Sequence, residues 1–128
     1  MKRLLYILLL CPVIGFAQNF TLKQLTTGKN TSMRGLSVVS ESVAWVSGSN
    51  GQVGKTLDGG KTWNWTQPKG YEKLDFRDIE AFDDLKAIVV NAGSPAYILS
   101  TVDGGKSWTQ VYKNTDTAIF LDGMAFWD

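Results

Sequence analysis

Short runs of alternating apolar and polar residues follow one another along the chain, and none has the 3.6-residue period of an amphipathic helix. The first four runs read GLSVV, VAWVS, QVGKT and TWNWTQ, and the next four read RDIEAF, KAIVVN, AYILST and SWTQVY. Each run is rich in β-branched and aromatic residues and is bounded by turn-forming residues, which is typical of strands. The pattern therefore predicts an all-β protein.

The two groups of four runs are copies of one repeat. Trp63 and Trp108, near the start of the fourth run in each group, lie 45 residues apart, and Leu36 and Ile79, in the first runs, lie 43 residues apart. A repeat of this length corresponds to one four-stranded propeller blade. We therefore predict the N-terminal part of a β-propeller, with about two and a half blades of four-stranded antiparallel sheet. Within residues 18–128, the predicted parts are a closing outer strand at 20–25, full blades at 34–67 and 76–112, and the start of a third blade at 120–128.

Residues 1–17 predict export. Two basic residues precede an apolar run over residues 4–10, and small residues precede Gln18, which is the layout of a secretory signal peptide cleaved near Ala17–Gln18. The apolar run is too short to span a bilayer, so we expect a periplasmic, cell-surface or extracellular protein without a membrane span. Cys11 leaves lipid attachment as an alternative, which its large preceding residue disfavours.

The composition after residue 17 excludes several kinds of chemistry. The chain has no His, and Cys11 is its only Cys, so a His base, a Cys nucleophile and a His/Cys zinc site are excluded. Removal of the signal leaves 11 basic and 12 acidic residues, a net charge of −1 without a basic run. This balance argues against a nucleic-acid partner. We expect no metal and no cofactor.

One motif occurs twice, as TLDGGKTW at residues 56–63 and as TVDGGKSW at residues 101–108. Each copy falls where a hairpin must join the third and fourth runs of its repeat. An Asp carboxylate accepts hydrogen bonds from nearby backbone N–H groups in such a turn, and Gly supplies the positive φ angles. We therefore predict a structural role, not a catalytic one, for these residues: Thr56, Asp58, Gly60, Thr62, Trp63, Thr101, Asp103, Gly105, Ser107 and Trp108.

Both copies resemble the Asp-box, or bacterial neuraminidase repeat, whose pattern is Ser/Thr-x-Asp-x-Gly-x-Thr/Ser-Trp. The wider sequence AWVSGSNGQVGKTLDGGKTW is similar to the exported β-propellers related to the photosystem II assembly/stability factor. The resemblance implies a propeller fold. It leaves the function open, because Asp-boxes occur in sialidases, in receptors and in non-catalytic propellers alike.

Two arginines mark a candidate binding site. Arg34 and Arg77 occupy equivalent positions in successive repeats, and the third repeat has Asp122 there. First strands line the channel of a propeller, where two guanidinium groups can bind a carboxylate, a phosphate or an acidic peptide. The related assembly factors are thought to present an arginine-bearing face to their partner, which this placement resembles. We predict ligand or partner binding by Arg34, Arg77 and Asp122, with a salt bridge between blades as the alternative.

The leading hypothesis is an exported, non-catalytic binding or scaffold module for a protein or an anionic ligand. The alternative is a secreted glycoside hydrolase, sialidase-like or related, whose catalytic residues lie mostly beyond residue 128. Asp75, Asp78 and Glu80 surround Arg77. One strand rarely places two carboxyl groups on opposite sides of a sugar, so we assign no catalytic residue.

Four aromatic residues leave two interpretations open. At strand positions such residues usually pack in the core between blades, and the alternative is a platform on which a carbohydrate ligand stacks. We expect the core position for Trp45, Trp65, Tyr71 and Trp127.

Overall fold

The computed structural model describes residues 21–24 and 29–127. They form two four-stranded antiparallel sheets, which we call blade 1 and blade 2, and these residues contain no helix. In each blade the order of the strands follows the chain. Blade 1 contains β1 (Met33–Val38), β2 (Ala44–Gly48), β3 (Val53–Thr56) and β4 (Asn64–Thr66); blade 2 contains β5 (Asp75–Ala81), β6 (Ala87–Ala92), β7 (Ala96–Thr101) and β8 (Thr109–Asn114).

The predicted all-β fold with two four-stranded blades is confirmed. The predicted signal peptide lies outside the described residues, as do the ends of the predicted outer strand at 20–25. Residues 21–24 of that segment are exposed and lie outside any strand, and residues 119–127 also form no strand. The closing outer strand and the third blade therefore stay predictions.

The first strands of the two blades, β1 and β5, pack directly against each other. A Cβ added to Gly35 would lie 2.7 Å from the backbone nitrogen of Ile79, so only glycine permits this approach. The Ser37 hydroxyl accepts a hydrogen bond from the backbone N–H of Ala81 at 3.0 Å. These contacts fix how the two blades sit side by side.

Trp45 of β2 fills the space between the blades. Its side chain is 1% exposed and belongs to one buried cluster with Val53, Ile79 and Leu99. The indole N–H donates to the backbone carbonyl of Asp83 in the turn between β5 and β6, at 3.1 Å. A buried Trp removes roughly 150–250 Å² from water, on the order of 4–6 kcal/mol of stabilisation.

Residues 120–127, which we call the terminal segment, lie beside β5 as β5 lies beside β1. The backbone N–H of Met124 donates to the Asp78 carboxylate at 2.7 Å. The Phe126 ring meets the Phe82 ring edge to face, with centroids 5.2 Å apart. The terminal segment therefore packs on blade 2 without forming a strand.

The buried position of Trp45 predicts that Trp45→Ala destabilises the chain by about 3–5 kcal/mol, because the change leaves a cavity between the blades. Urea unfolding followed by circular dichroism measures this loss. Trp127→Ala is the matched control, because Trp127 is fully exposed. Equal effects of the two substitutions would contradict the assignment of Trp45 to the core.

Candidate functional site

The two arginines lie at the start of adjacent first strands. Arg34 is in β1 and Arg77 is in β5, and both side chains are partly exposed. Arg34 Nε lies 3.8 Å from Asp75 Oδ1, too far for a hydrogen bond. That carboxylate oxygen is buried and has no hydrogen-bond partner among the described residues. Arg34 is therefore held only by a loose ion pair.

Arg77 is held more firmly. Its Nε donates to Asp122 Oδ1 at 2.8 Å, across to the terminal segment. Its guanidinium carbon also lies 5.6 Å from the centroid of the Phe120 ring, within the range of a cation–π contact. The structure thus brings Arg77 and Asp122 together in the salt bridge that the sequence left as an alternative. We call Arg34, Arg77, Asp75 and Asp122 the arginine edge.

The arginine edge holds two cations and two carboxylates in ion pairs. Each arginine contacts one carboxylate, which belongs to a neighbouring first strand or to the terminal segment. The Asp122 side chain is 65% exposed, and exposed ion pairs contribute only about 0–1 kcal/mol. A ligand carboxylate can therefore replace it at small cost.

The other two carboxylates near Arg77 are engaged in packing. Asp78 accepts hydrogen bonds from the backbone N–H groups of Ile79, at 2.9 Å, and Met124, at 2.7 Å. Glu80 accepts a long bond of 3.4 Å from the Ser37 hydroxyl of β1. These contacts face different neighbours, so Asp78 and Glu80 do not form a facing pair of carboxylates of the kind that a glycosidase uses.

The first Asp motif, residues 56–63, forms a closed hydrogen-bonded turn between β3 and β4. Asp58 Oδ1 accepts from the Thr56 hydroxyl and from the Thr62 backbone N–H, both at 2.9 Å. Asp58 Oδ2 accepts from the Thr62 hydroxyl at 2.6 Å. The Gly60 backbone N–H donates to the Thr56 hydroxyl at 2.9 Å, and its carbonyl accepts from the Trp63 indole at 3.2 Å.

The second Asp motif, residues 101–108, repeats this geometry. Asp103 accepts from the Thr101 hydroxyl at 2.9 Å, from the Ser107 backbone N–H at 3.0 Å and from the Ser107 hydroxyl. The Gly105 backbone N–H donates to the Thr101 hydroxyl at 3.0 Å. One difference is that the Trp108 indole N–H is buried and has no partner among the described residues. We call the two motifs the Asp turns.

Hydrogen bonding lowers the pKa of both turn carboxylates. The Thr62 hydroxyl and then the Thr62 backbone N–H lower the pKa of Asp58 to about 2, from an ordinary value of 3.8. The Ser107 hydroxyl and backbone N–H do the same for Asp103, whose pKa is also about 2. A carboxylate with this pKa stays charged at neutral pH and is a poor general base.

The Asp turns lie at the opposite end of the blades from the arginine edge. The backbone N–H of Gly59 donates to the carbonyl of Ser42 in the turn after β1, at 2.9 Å, and Gly104 donates to Leu85 in the same way. Arg34 is at the other end of β1, about 16 Å away at about 3.3 Å per strand residue. The Asp turns and the arginines therefore do not form one site.

The aromatic residues divide between packing and exposure. Trp45 is buried between the blades, Trp65 stacks near Trp63 with ring centroids 6.1 Å apart, and Tyr71 contacts the Tyr97 ring at 5.2 Å. Trp127 is fully exposed. The rings that pack on neighbours do not form an open stacking platform.

Lys55 lies near the boundary between the blades, and no sequence motif predicts a role for it. Lys55 Nζ donates to the backbone carbonyl of Asp84 at 2.8 Å and lies 4.8 Å from the centroid of the Trp45 ring. Burial lowers the pKa of Lys55, and the nearby Asp84 carboxylate opposes this shift. Lys55 and Trp45 are paired on neighbouring strands of blade 1, and both reach the same turn of blade 2. Strand pairing could have placed the two side by side, but it does not indicate the contact with blade 2.

No group of three or more His, Cys, Asp or Glu side chains could hold a metal ion within the part of the chain that the structure describes. The same part contains no helix of the length and apolarity needed to cross a membrane.

The family model described as "Photosynthesis system II assembly factor YCF48" matches residues 16–117. The solved structure "YCF48 bound to D1 peptide" is 26% identical with a TM-score of 0.53, over 64% of this chain and 26% of that chain. The structure of YCF48 from Cyanidioschyzon merolae is 24% identical with a TM-score of 0.56, over 70% and 29%, and it supports the fold alone. The chain thus spans less than a third of the length of either structure. No curated protein matches it.

The hydrogen bonds of the Asp turns predict a pH-dependent stability. Because the folded pKa of Asp58 and Asp103 is about 2, below the ordinary 3.8, the charged carboxylate favours the folded state. This contribution is complete above about pH 4 and is lost as the pH falls toward 2. We therefore expect Tm, measured by circular dichroism at pH values from 7 to 2, to decrease between about pH 4 and pH 2.

Asp103→Asn should lower Tm at pH 7 by several degrees and reduce the fall in Tm between pH 4 and pH 2. Glu41→Gln is the control, because Glu41 is exposed and lies outside the Asp turns. A Tm profile of Asp103→Asn that matches the wild-type profile would contradict the structural role of the Asp turns.

Proposed function

This chain belongs to the family described as photosynthesis system II assembly factor YCF48, and from that membership we propose that it is a non-catalytic, protein-binding propeller segment. The observation that carries the proposal is the bound peptide in a related structure, "YCF48 bound to D1 peptide". A protein that binds a peptide without altering it needs a complementary surface and no catalytic group. The arginine edge offers such a surface.

We assign peptide binding to the arginine edge. Arg77 and Arg34 present guanidinium groups from adjacent first strands, and guanidinium forks bind carboxylates through paired N–H donors. Arg77 uses Nε for Asp122, and its terminal nitrogens make no hydrogen bond to other described residues. An acidic side chain or the terminal carboxylate of a peptide can therefore bind to Arg77 while Asp122 moves aside.

The charges of the arginine edge also restrict which peptides can bind there. Asp75 and Asp122 lie next to the arginines. They repel a second carboxylate of the peptide when no arginine pairs with it. They also attract a basic or amide group that follows the bound carboxylate. The preferred ligand is thus an extended peptide with one acidic position, recognised by placement of charge more than by apolar contact.

The peptide assignment predicts that Arg77→Ala weakens binding of the D1 peptide about tenfold or more, because a charge-assisted contact is lost. Fluorescence anisotropy of the labelled peptide measures the dissociation constant, and binding should weaken as salt rises. Lys61→Ala is the matched control, since it removes an exposed cation in the first Asp turn, far from the arginines.

Arg34→Ala should have a smaller effect than Arg77→Ala if ligand contact centres on β5. Equal dissociation constants for Arg77→Ala, Lys61→Ala and the wild type would contradict the assignment. Peptide cleavage during the assay would contradict the non-catalytic proposal.

The proposed place of action is outside the cytoplasm. The support is the N-terminal sequence, with two basic residues, an apolar run and small residues before Gln18. The match to the family begins at residue 16, close to the expected cleavage point. Expression of the full chain with its own leader should give a mature protein whose intact mass corresponds to a start at Gln18. A mass that retains residues 1–17 would contradict the proposal.

A further inference from the structure

Glycine directly follows Asn or Asp at four junctions of the chain, which are Asn50–Gly51, Asp58–Gly59, Asp103–Gly104 and Asp122–Gly123. At such a junction the backbone nitrogen of the glycine can attack the side-chain carbonyl carbon of the residue before it, because glycine has no Cβ to hinder the approach. The attack closes a succinimide ring. Ring closure requires the junction to rotate, so the fold decides which of these junctions can react.

The first three junctions are fixed by a hydrogen bond from the glycine nitrogen. The backbone N–H of Gly51 donates to the Leu74 carbonyl at 2.7 Å. The glycines of the two Asp turns donate to carbonyls in the turn after the first strand of their own blade, both at 2.9 Å: Gly59 to Ser42 and Gly104 to Leu85. A nitrogen that is held against a neighbouring turn cannot rotate toward the side chain that precedes it.

The carboxylates of the Asp turns are restrained as well. The hydroxyl groups of Thr62 and Ser107, and then their backbone N–H groups, hold the pKa of Asp58 and Asp103 at about 2. A carboxylate must be protonated before it can lose water to an attacking nitrogen, and these two stay charged near neutral pH. The Asp turns are therefore protected both at the nitrogen and at the carboxylate.

The junction between Asp122 and Gly123 has neither restraint. Both residues are exposed and lie outside any strand or turn. The Gly123 N–H makes no hydrogen bond to another described residue. The Asp122 carboxylate contacts Arg77 Nε at 2.8 Å, and its side chain is 65% exposed. Exposed ion pairs are weak, so the carboxyl group is readily released toward the Gly123 nitrogen.

We propose that the Asp122–Gly123 junction is a site of spontaneous isomerisation in the folded protein, where Asp122 converts to isoaspartate and releases Arg77. The Gly123 nitrogen loses its proton and forms a bond to Asp122 Cγ, and the side-chain hydroxyl leaves as water. A water molecule then adds to the main-chain carbonyl of the succinimide and breaks its bond to the Gly123 nitrogen. The water lost in the first step is regained in the second, so the reaction needs no other reactant.

Isoaspartate cannot keep the present contact with Arg77. Its free carboxylate is attached directly to Cα, and an additional methylene enters the main chain before Gly123. The contact of 2.8 Å between Arg77 Nε and the carboxylate depends on the length of the aspartate side chain. The inference thus adds a slow covalent change at the arginine edge, and it does not depend on the proposed peptide binding.

The test compares each junction in the folded chain with the same junction in the unfolded chain. The full chain is incubated near neutral pH in heavy-oxygen water, with and without guanidinium chloride, and its peptides are mapped by mass spectrometry. Opening of the succinimide incorporates heavy oxygen, and isoaspartate is identified by isoaspartyl-specific carboxyl methylation. We expect folding to slow the reaction about tenfold or more at Asn50, Asp58 and Asp103. At Asp122 folding should slow it less than about threefold.

Substitutions in the terminal segment locate the reaction. Asp122→Glu lengthens the side chain beyond the reach that closes a succinimide, so incorporation at this junction should fall about tenfold or more. Asp116→Glu is the matched control, because it makes the same change at an exposed Asp that is followed by Thr, and it should leave incorporation at Asp122 unchanged. Gly123→Ala should slow the reaction about fivefold or more, since a Cβ hinders the nitrogen. That Cβ would lie 3.7 Å from Asp78 Oδ2, an ordinary contact, so the fold accommodates it.

A further measurement follows Arg77 itself. The isomerised fraction is separated by ion exchange, and the exchange of the Arg77 Nε–H with water is measured by NMR. We expect faster exchange than in the unmodified chain, because the hydrogen bond to Asp122 is lost.

Three results would overturn the proposal. The first is that incorporation at Asp122 in the folded chain does not exceed that at Asp103. The second is an equal rate at this junction in the wild type and in Gly123→Ala. The third is unchanged exchange of the Arg77 Nε–H in the isomerised fraction, which would show that Arg77 is not released.

Discussion

Insertion of the Trp45 indole between the blades is the contact on which the remaining structure depends. Each blade is a single four-stranded layer, so it can bury an apolar face only by packing against another element. Trp45 joins the apolar sides of both blades in one buried cluster and ties its N–H to the turn after β5. Glycine at position 35 lets the first strands approach, and glycine at position 105 leaves room for the ring. With the blades fixed in this way, Arg34 and Arg77 are brought to one edge.

The Asp turns and the arginine edge lie at opposite ends of the blades. At one end the Asp turns hold the β3–β4 and β7–β8 connections closed through hydrogen bonds to Asp58 and Asp103. At the other end the arginine edge presents charge to the solvent. The Asp turns, whose geometry is the same in both blades, thus serve folding, whereas the proposed peptide recognition is assigned to the arginine edge.

Much of the fold could be predicted from the sequence, because strand periodicity and a repeat of 43 to 45 residues are local signals that specify a blade. Membership of the photosystem II assembly factor group was indicated by the same residues and is confirmed by the family match. The sequence indicates the salt bridge between Arg77 and Asp122 only as an alternative, since it depends on residues 45 positions apart meeting between β5 and the terminal segment. The role of Lys55 could not be predicted from its sequence neighbours, because its hydrogen-bond partner is a backbone carbonyl of another blade.

Hydrogen exchange of the Trp45 indole N–H tests the central claim most directly. The account places this proton in a hydrogen bond to the Asp83 carbonyl inside the contact between the blades. Two-dimensional NMR in D₂O should therefore show it exchanging far more slowly than the indole proton of the exposed Trp127, with cross-peaks from the Trp45 ring to the α-protons of Gly105. Exchange of the Trp45 proton as fast as that of Trp127, without those cross-peaks, would contradict the account.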